Sequence, residues 1–316
     1  MIQSKLRWYH GLLAIALFGA VMALEYFGLL GKHVYATVIG EGLIALVAIG
    51  VVLIARENLS AVFTFKKVRW VQIAGLYLMW RGVLSAEMVL SEVLMHFFPR
   101  LMRETSGIEE WMHRVPFALA FFVIAVMPAV CEEMLFRGTL LHSMKDLKKP
   151  WLIIILNGLI FGIAHLSSIK LVSVSLLGIL FAYVVYQSGN LACSMILHCL
   201  NNGWVVIYSF ALSGLNQSAG YEAGASAAKG LNSMPVGVIG VTLCTAALSP
   251  MLIYIGHNLF MRPPGNGQLP PGQKVTLKRD WLFLTGALAF LIFALGLLLF
   301  AIGFEEVFHI GLQNLT

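Results

Sequence analysis

Apolar residues run in long blocks along this chain, and short polar clusters separate them. A helix needs roughly 17 to 25 predominantly apolar residues to cross the hydrocarbon core of a bilayer. Blocks of that kind lie within 9–30, 34–55, 70–98, 116–143, 151–167, 170–187, 190–212, 235–260 and 281–304. They predict an all-α fold: a polytopic helical membrane protein with about nine transmembrane helices, eight being the alternative. The first block follows Lys5 and Arg7 as a signal peptide would. It lacks a small-x-small cleavage site and further spans follow it, so it reads as a retained helix.

Two connections differ from the rest. Residues 213–234 are small and polar, and residues 262–275 carry two Pro-Pro pairs that cannot continue a helix. Both read as surface loops. Three segments follow: N-terminal transmembrane helices over 1–114, a motif-bearing core over 115–212, and a polar loop with C-terminal transmembrane helices over 213–316.

Composition agrees with the pattern. The chain of 316 residues is 59% hydrophobic and 11% charged, against about a quarter charged in soluble domains. The net charge of +6 does not point to nucleic acid, because the Lys and Arg residues sit in short clusters between the blocks. With the N-terminus inside, the inner segments hold Lys5, Arg7, Arg56, Lys66, Lys67, Arg69, Lys145, Lys148, Lys149, Arg262, Lys274, Lys278 and Arg279. The outer segments hold only Lys32, Arg100, Arg103, Arg114, Lys170 and Lys229, so the positive-inside bias puts the N-terminus in the cytoplasm. Cys131, Cys193, Cys199 and Cys244 all lie in apolar segments with no C-x-x-C spacing, and read as packing residues rather than disulfides or nucleophiles.

Three motifs interrupt the apolar blocks with chemistry. In the fourth, Glu132, Glu133 and Arg137 would each cost about 2.5–3.5 kcal/mol near the bilayer centre without compensation. Glu133 and Arg137 stand at i and i+4 with the glutamate first, the favourable order for an ion pair on one helix face. Glu132 points about 100° away and is left for chemistry. The fifth block carries Phe161 and His165, the seventh His198 and Asn202, each pair four apart and on one face. Glu132, His165, His198 and Asn202 fall roughly 18, 21, 12 and 18 Å from the inner membrane edge at 1.5 Å per residue. They converge on one layer, which predicts a polar intramembrane catalytic cavity. Glu25, Glu41, Arg81, Glu87 and Glu92 also fall within the blocks; the simplest reading is mutual pairing, such as Arg81 with Glu87 or Glu41. Pro128 removes a helix hydrogen bond one turn before Glu132, and Pro250 does so in the eighth block.

The ordered set E-E-x-x-x-R, F-x-x-x-H and H-x-x-x-N resembles the CAAX-protease and bacteriocin-processing, or abortive-infection, family of intramembrane endopeptidases. The likeness includes Phe136-Arg137-Gly138 and the stretch GNLACSMILHCLNN, and covers about residues 115–212. It implies hydrolysis of a peptide bond in a membrane-associated protein or peptide, lipidated in some branches, at the bilayer. Glu132 would act as general base with His165 orienting the same water, and His198 and Asn202 would donate to the oxyanion. Glu133, Arg137 and Phe161 would support them. No metal is required by this scheme.

Three alternatives stand beside this scheme, and the first uses the same residues. Glu132, His165 and His198 form a two-histidine, one-carboxylate set of the kind that holds catalytic zinc, although the H-E-x-x-H signature is absent and Asn202 has a role only as a donor. A non-proteolytic bacteriocin-immunity or binding protein would keep the scaffold, but has no need of water-activating and oxyanion groups together. A proton-coupled transporter would carry inverted repeats, which the sequence lacks. The expected location is a bacterial cytoplasmic membrane, with the endoplasmic reticulum as the alternative.

Overall fold

The computed structural model describes residues 5–31, 34–98, 114–215, 235–262 and 278–313, and all the regular structure among them is helical. Of the expected loop 213–234, residues 213–215 continue a helix and the rest lies outside these residues, as does most of the Pro-Pro segment. The helices are α1 (Trp8–Tyr26), α2 (Val34–Ile54), α3 (Trp70–Phe97), α4 (Phe117–Leu147), α5 (Pro150–Ala164), α6 (Ser168–Ser188), α7 (Leu191–Leu215), α8 (Pro235–Ala246), α9 (Ser249–Phe260) and α10 (Arg279–Gln313).

Among the described residues, eight helices are long and apolar enough to cross a membrane, with α8 and α9 together forming one of them. This is an integral membrane protein of the helical class. The expected span that falls short is the fifth: α5 has 15 residues and covers about 22 Å, less than a ~30 Å hydrocarbon core. The eighth expected span is interrupted at Ala247–Leu248, and Pro250, in the first turn of α9, accounts for the break because it has no N–H to carry the helix through.

Turn chemistry sets the other boundaries. Positive φ at Gly28 (71°) and Gly31 (100°) turns the chain after α1. Lys148 (φ 57°) followed by Pro150 separates α4 from α5, and Gly189 (φ 56°) closes α6. Asn190 then clamps the segment before α3: its Oδ1 accepts from Lys66 N at 3.0 Å and its Nδ2 donates to Lys66 O at 2.9 Å.

The chain forms two compact units. The first comprises Met1–Val68 and Thr105–Ala211, where α1 packs on α2, both pack on α4, and α5 packs on α6. The α5–α6 contact depends on missing side chains. A Cβ at Gly162 would stand 2.7 Å from Leu171 O, and one at Gly158 would stand 2.5 Å from Ile179 N. Such small-xxx-small faces let membrane helices approach to backbone contact. The second unit comprises Arg69–Glu104 and Leu212–Thr316, with α3 against α8 and α9, and α10 against α8 and α9.

The central helix α4 is not a uniform α-helix. Phe122–Val126 and Met134–Leu140 are π-helical, and the α-helical turn Met127–Glu133 lies between them. Their wider turns are marked by Met127 N donating to Phe122 O and Leu141 N to Phe136 O, both i→i+5. The two glutamates therefore sit on a short α-turn bracketed by two register shifts.

Candidate active site

Glu133 and Arg137 form the ion pair expected from their spacing. Arg137 Nη1 lies 2.8 Å from Glu133 Oε1, and both side chains are fully buried. Arg137 Nη2 donates to Gly178 O at 3.1 Å, so the close α5–α6 pair brings an α6 carbonyl to this guanidinium. The guanidinium carbon stands 4.1 Å from the Phe161 ring centroid and 5.2 Å from that of Phe181. A buried cation is thus matched by a carboxylate, a carbonyl and two ring faces.

The same carboxylate oxygen holds His198. Its Nδ1 is 2.9 Å from Glu133 Oε1, and a carboxylate can only accept, so Nδ1 carries the proton. The ring stacks on Phe181 at 5.3 Å and meets Phe161 edge-on at 5.8 Å. Its free nitrogen, Nε2, consequently faces Glu132, whose Oε2 is 4.0 Å away and has no hydrogen-bond partner. That separation exceeds a direct hydrogen bond and lets both atoms reach one intervening oxygen.

Asn202 is oriented by the π-helical turn of α4. Pro128 has no N–H with which to reach Ile124 O, its i−4 carbonyl, and Asn202 Nδ2 donates to that oxygen at 3.0 Å. Asn202 Oδ1 accepts from Asn201 Nδ2 at 3.3 Å, which leaves the second amide N–H of Asn202 as a further donor.

His165 stands at the C-terminal cap of α5. Its Nδ1 is 2.9 Å from Phe161 O, the ring lies edge-on to Phe161 at 4.8 Å, and a carbonyl can only accept, so Nε2 is the free acceptor. Glu132 and His165 line one cavity of about 280 Å³, which Glu25, Glu41, Phe18 and Phe136 also line. Among the described residues Arg81 and Glu87 do not form the ion pair expected from sequence: Glu87 accepts from Ser91 Oγ at 3.4 Å, and in the cavity Glu41 Oε2 has no hydrogen-bond partner.

Of the residues singled out in the sequence, Glu133, Arg137, His198 and Phe161 share one buried cluster. Glu132 adjoins it through His198 and lines one cavity with His165, while Asn202 is tied to α4 beside Pro128. Two supporting residues escape motif reading. Asn157 Nδ2 donates to Phe136 O at 2.8 Å within the second π-helical stretch, and Phe181 supplies the ring under His198. Asn157 was discoverable, since Asn157, Phe161 and His165 repeat every four residues along one face of an apolar helix. Phe181 carries no such signal.

Among the described residues no three His, Cys, Asp or Glu side chains stand close enough together to hold a metal ion.

No curated protein and no solved structure matches the chain. One family does: residues 114–204 match the Rce1-like family, described as type II CAAX prenyl endopeptidase Rce1-like, over the segment that contains Glu132, His165, His198 and Asn202. The stretch from the start of α4 to the middle of α7 is therefore similar to the Rce1-like, type II CAAX prenyl endopeptidase family.

Proposed function

We propose that the protein is an intramembrane endopeptidase that hydrolyses a peptide bond of a membrane-associated, prenylated or otherwise lipidated peptide, with Glu132 as general base. The observation that carries this reading is the shared cavity of Glu132 and His165, two residues of the segment that matches the Rce1-like family. Water there has two acceptors for its two protons, a Glu132 oxygen and His165 Nε2, and this aims its lone pair at a substrate carbonyl. Glu132 takes one proton as the oxygen adds to that carbonyl. The oxyanion is met by His198 Nε2 in its protonated form and by the second N–H of Asn202. Collapse breaks the C–N bond, and the proton held by Glu132 passes to the leaving amine.

Glu133 and Arg137 are positioning residues in this scheme. They touch His198 and the ring pair Phe161 and Phe181, not the reacting atoms. The cytoplasmic N-terminus and the bacterial cytoplasmic membrane belong to the same proposal; the orientation rests on the distribution of Lys and Arg.

The test is cleavage of a farnesylated peptide ending in a CAAX sequence by purified protein in proteoliposomes. Release of the last three residues supports the reading, and persistence of activity after prolonged chelation supports its metal-free form. An intact peptide at all protein concentrations opposes the CAAX substrate class. Activity lost on chelation and restored by zinc would replace the glutamate and histidine scheme with the metal one.

A further inference from the structure

Two carboxylates in the Glu132 cavity are left unexplained by the three motifs. Glu25 comes from the last turn of α1 and Glu41 from the second turn of α2, both outside the matched domain. Glu41 is only 8% exposed, it lines the cavity, and its Oε2 has no hydrogen-bond partner. With Glu132 this makes three carboxylates around about 280 Å³, and among the described residues no Lys or Arg lines the space. Like charges so arranged in a low-dielectric interior repel one another, and either a proton or a cation between them relieves the repulsion.

The rest of the lining suits a cation on an apolar stem. Phe18 and Phe136 meet edge to face at 5.4 Å on the wall, beside Ile44. The ammonium or guanidinium of Lys or Arg can lie on such rings and against carboxylates while its methylenes pack on aliphatic surface. The protein uses this combination for its own Arg137, whose guanidinium carbon lies 5.9 Å from the Phe136 ring and whose Nη1 pairs with Glu133. Phe136 thus borders both the occupied cation site and the cavity with spare carboxylates.

We infer that this cavity binds a cationic side chain, and that Glu25 and Glu41 select peptides with Lys or Arg on the N-terminal side of the lipidated residue at the scissile bond. The selection of a peptide rests on the proposed function, whereas the cation site itself does not. Glu132 remains the base, and the two outer carboxylates hold the substrate's charge beside it.

The experiment measures thermal stability of the full chain in detergent with increasing n-butylguanidinium, and with n-butylurea as the uncharged analogue of the same shape. The parent should gain stability with the cation in a saturable manner and not with the urea. Glu41→Gln and Glu25→Gln should each shift the midpoint concentration about tenfold higher, as expected for loss of one charge-assisted hydrogen bond. Glu25, which is partly exposed, carries the test if Glu41→Gln does not fold. Equal responses to the two probes, as neutral carboxylic acids would give, overturn the site, and so does an unchanged midpoint in the variants. The readout needs no turnover, so a chain that binds the cation but cleaves no peptide keeps the site and loses the proposed function.

Discussion

His198 and Glu133 are joined by a 2.9 Å hydrogen bond between Nδ1 and Oε1, and the same oxygen receives Arg137 Nη1 at 2.8 Å. One buried carboxylate therefore fixes both the cation of its own helix and the imidazole of α7. Glu133→Gln removes the charge from both contacts and leaves Arg137 without its counter-ion. The expected loss is about 3–5 kcal/mol of stability, the range for breaking a buried ion pair. A thermal melt in detergent reads it, and a melt equal to the parent's would show that the pair is not structural.

Asn202 has a second duty that separates stability from turnover. Asn202→Ala removes the side-chain donor to Ile124 O, at a cost of about 1–3 kcal/mol, and the proposed oxyanion donor, whose loss should lower the rate on the order of 10²–10³. Adding Pro128→Ala restores a backbone N–H one turn after Ile124. The double variant should recover stability while turnover stays low. Recovery of both would make Asn202 a helix clamp only.

The α5–α6 seam sets where His165 sits. Gly162→Ala places a methyl 2.7 Å from Leu171 O and must push the helices apart. The expected cost is about 1–3 kcal/mol, as for other overpacked contacts, with a fall in turnover because Phe161 and His165 move with α5. A variant with the parent's melting temperature and rate would contradict the packing.

Much of this arrangement is legible in the sequence, for reasons that differ by residue. Glu133 and Arg137 are local, so helical spacing alone predicts their 2.8 Å contact. The span pattern is legible because length and apolarity are the requirement for crossing a bilayer, although α5 is shorter than its apolar block and ends at Ala164. The π-helical stretches of α4 leave no trace in hydrophobic periodicity, because apolar residues surround the whole helix. The bond from His198 to Glu133 joins residues 65 apart, and the one from Asn202 to Ile124 joins residues 78 apart. Neither distance is encoded in local pattern. Pro128 is the partial exception: a proline inside an apolar helix announces an unpaired carbonyl, but not the side chain that answers it.

Topology is a further expectation independent of the domain match. Reporter fusions after Lys67 and Lys148 should report the cytoplasmic side, as the Lys and Arg distribution requires. A fusion after Lys148 that reports the opposite side would invert α4 and place the start of α5 on the outer face.

The central claim is that Glu132 is the base. Its most direct test compares parent and Glu132→Gln proteins in proteoliposomes on the same farnesylated CAAX peptide, with release of the C-terminal tripeptide followed by mass spectrometry. The amide keeps the shape of the side chain and cannot take a proton from water. The account predicts a Glu132→Gln protein that melts within a few degrees of the parent and releases no tripeptide above the background without protein. Release at a rate comparable with the parent's would contradict it.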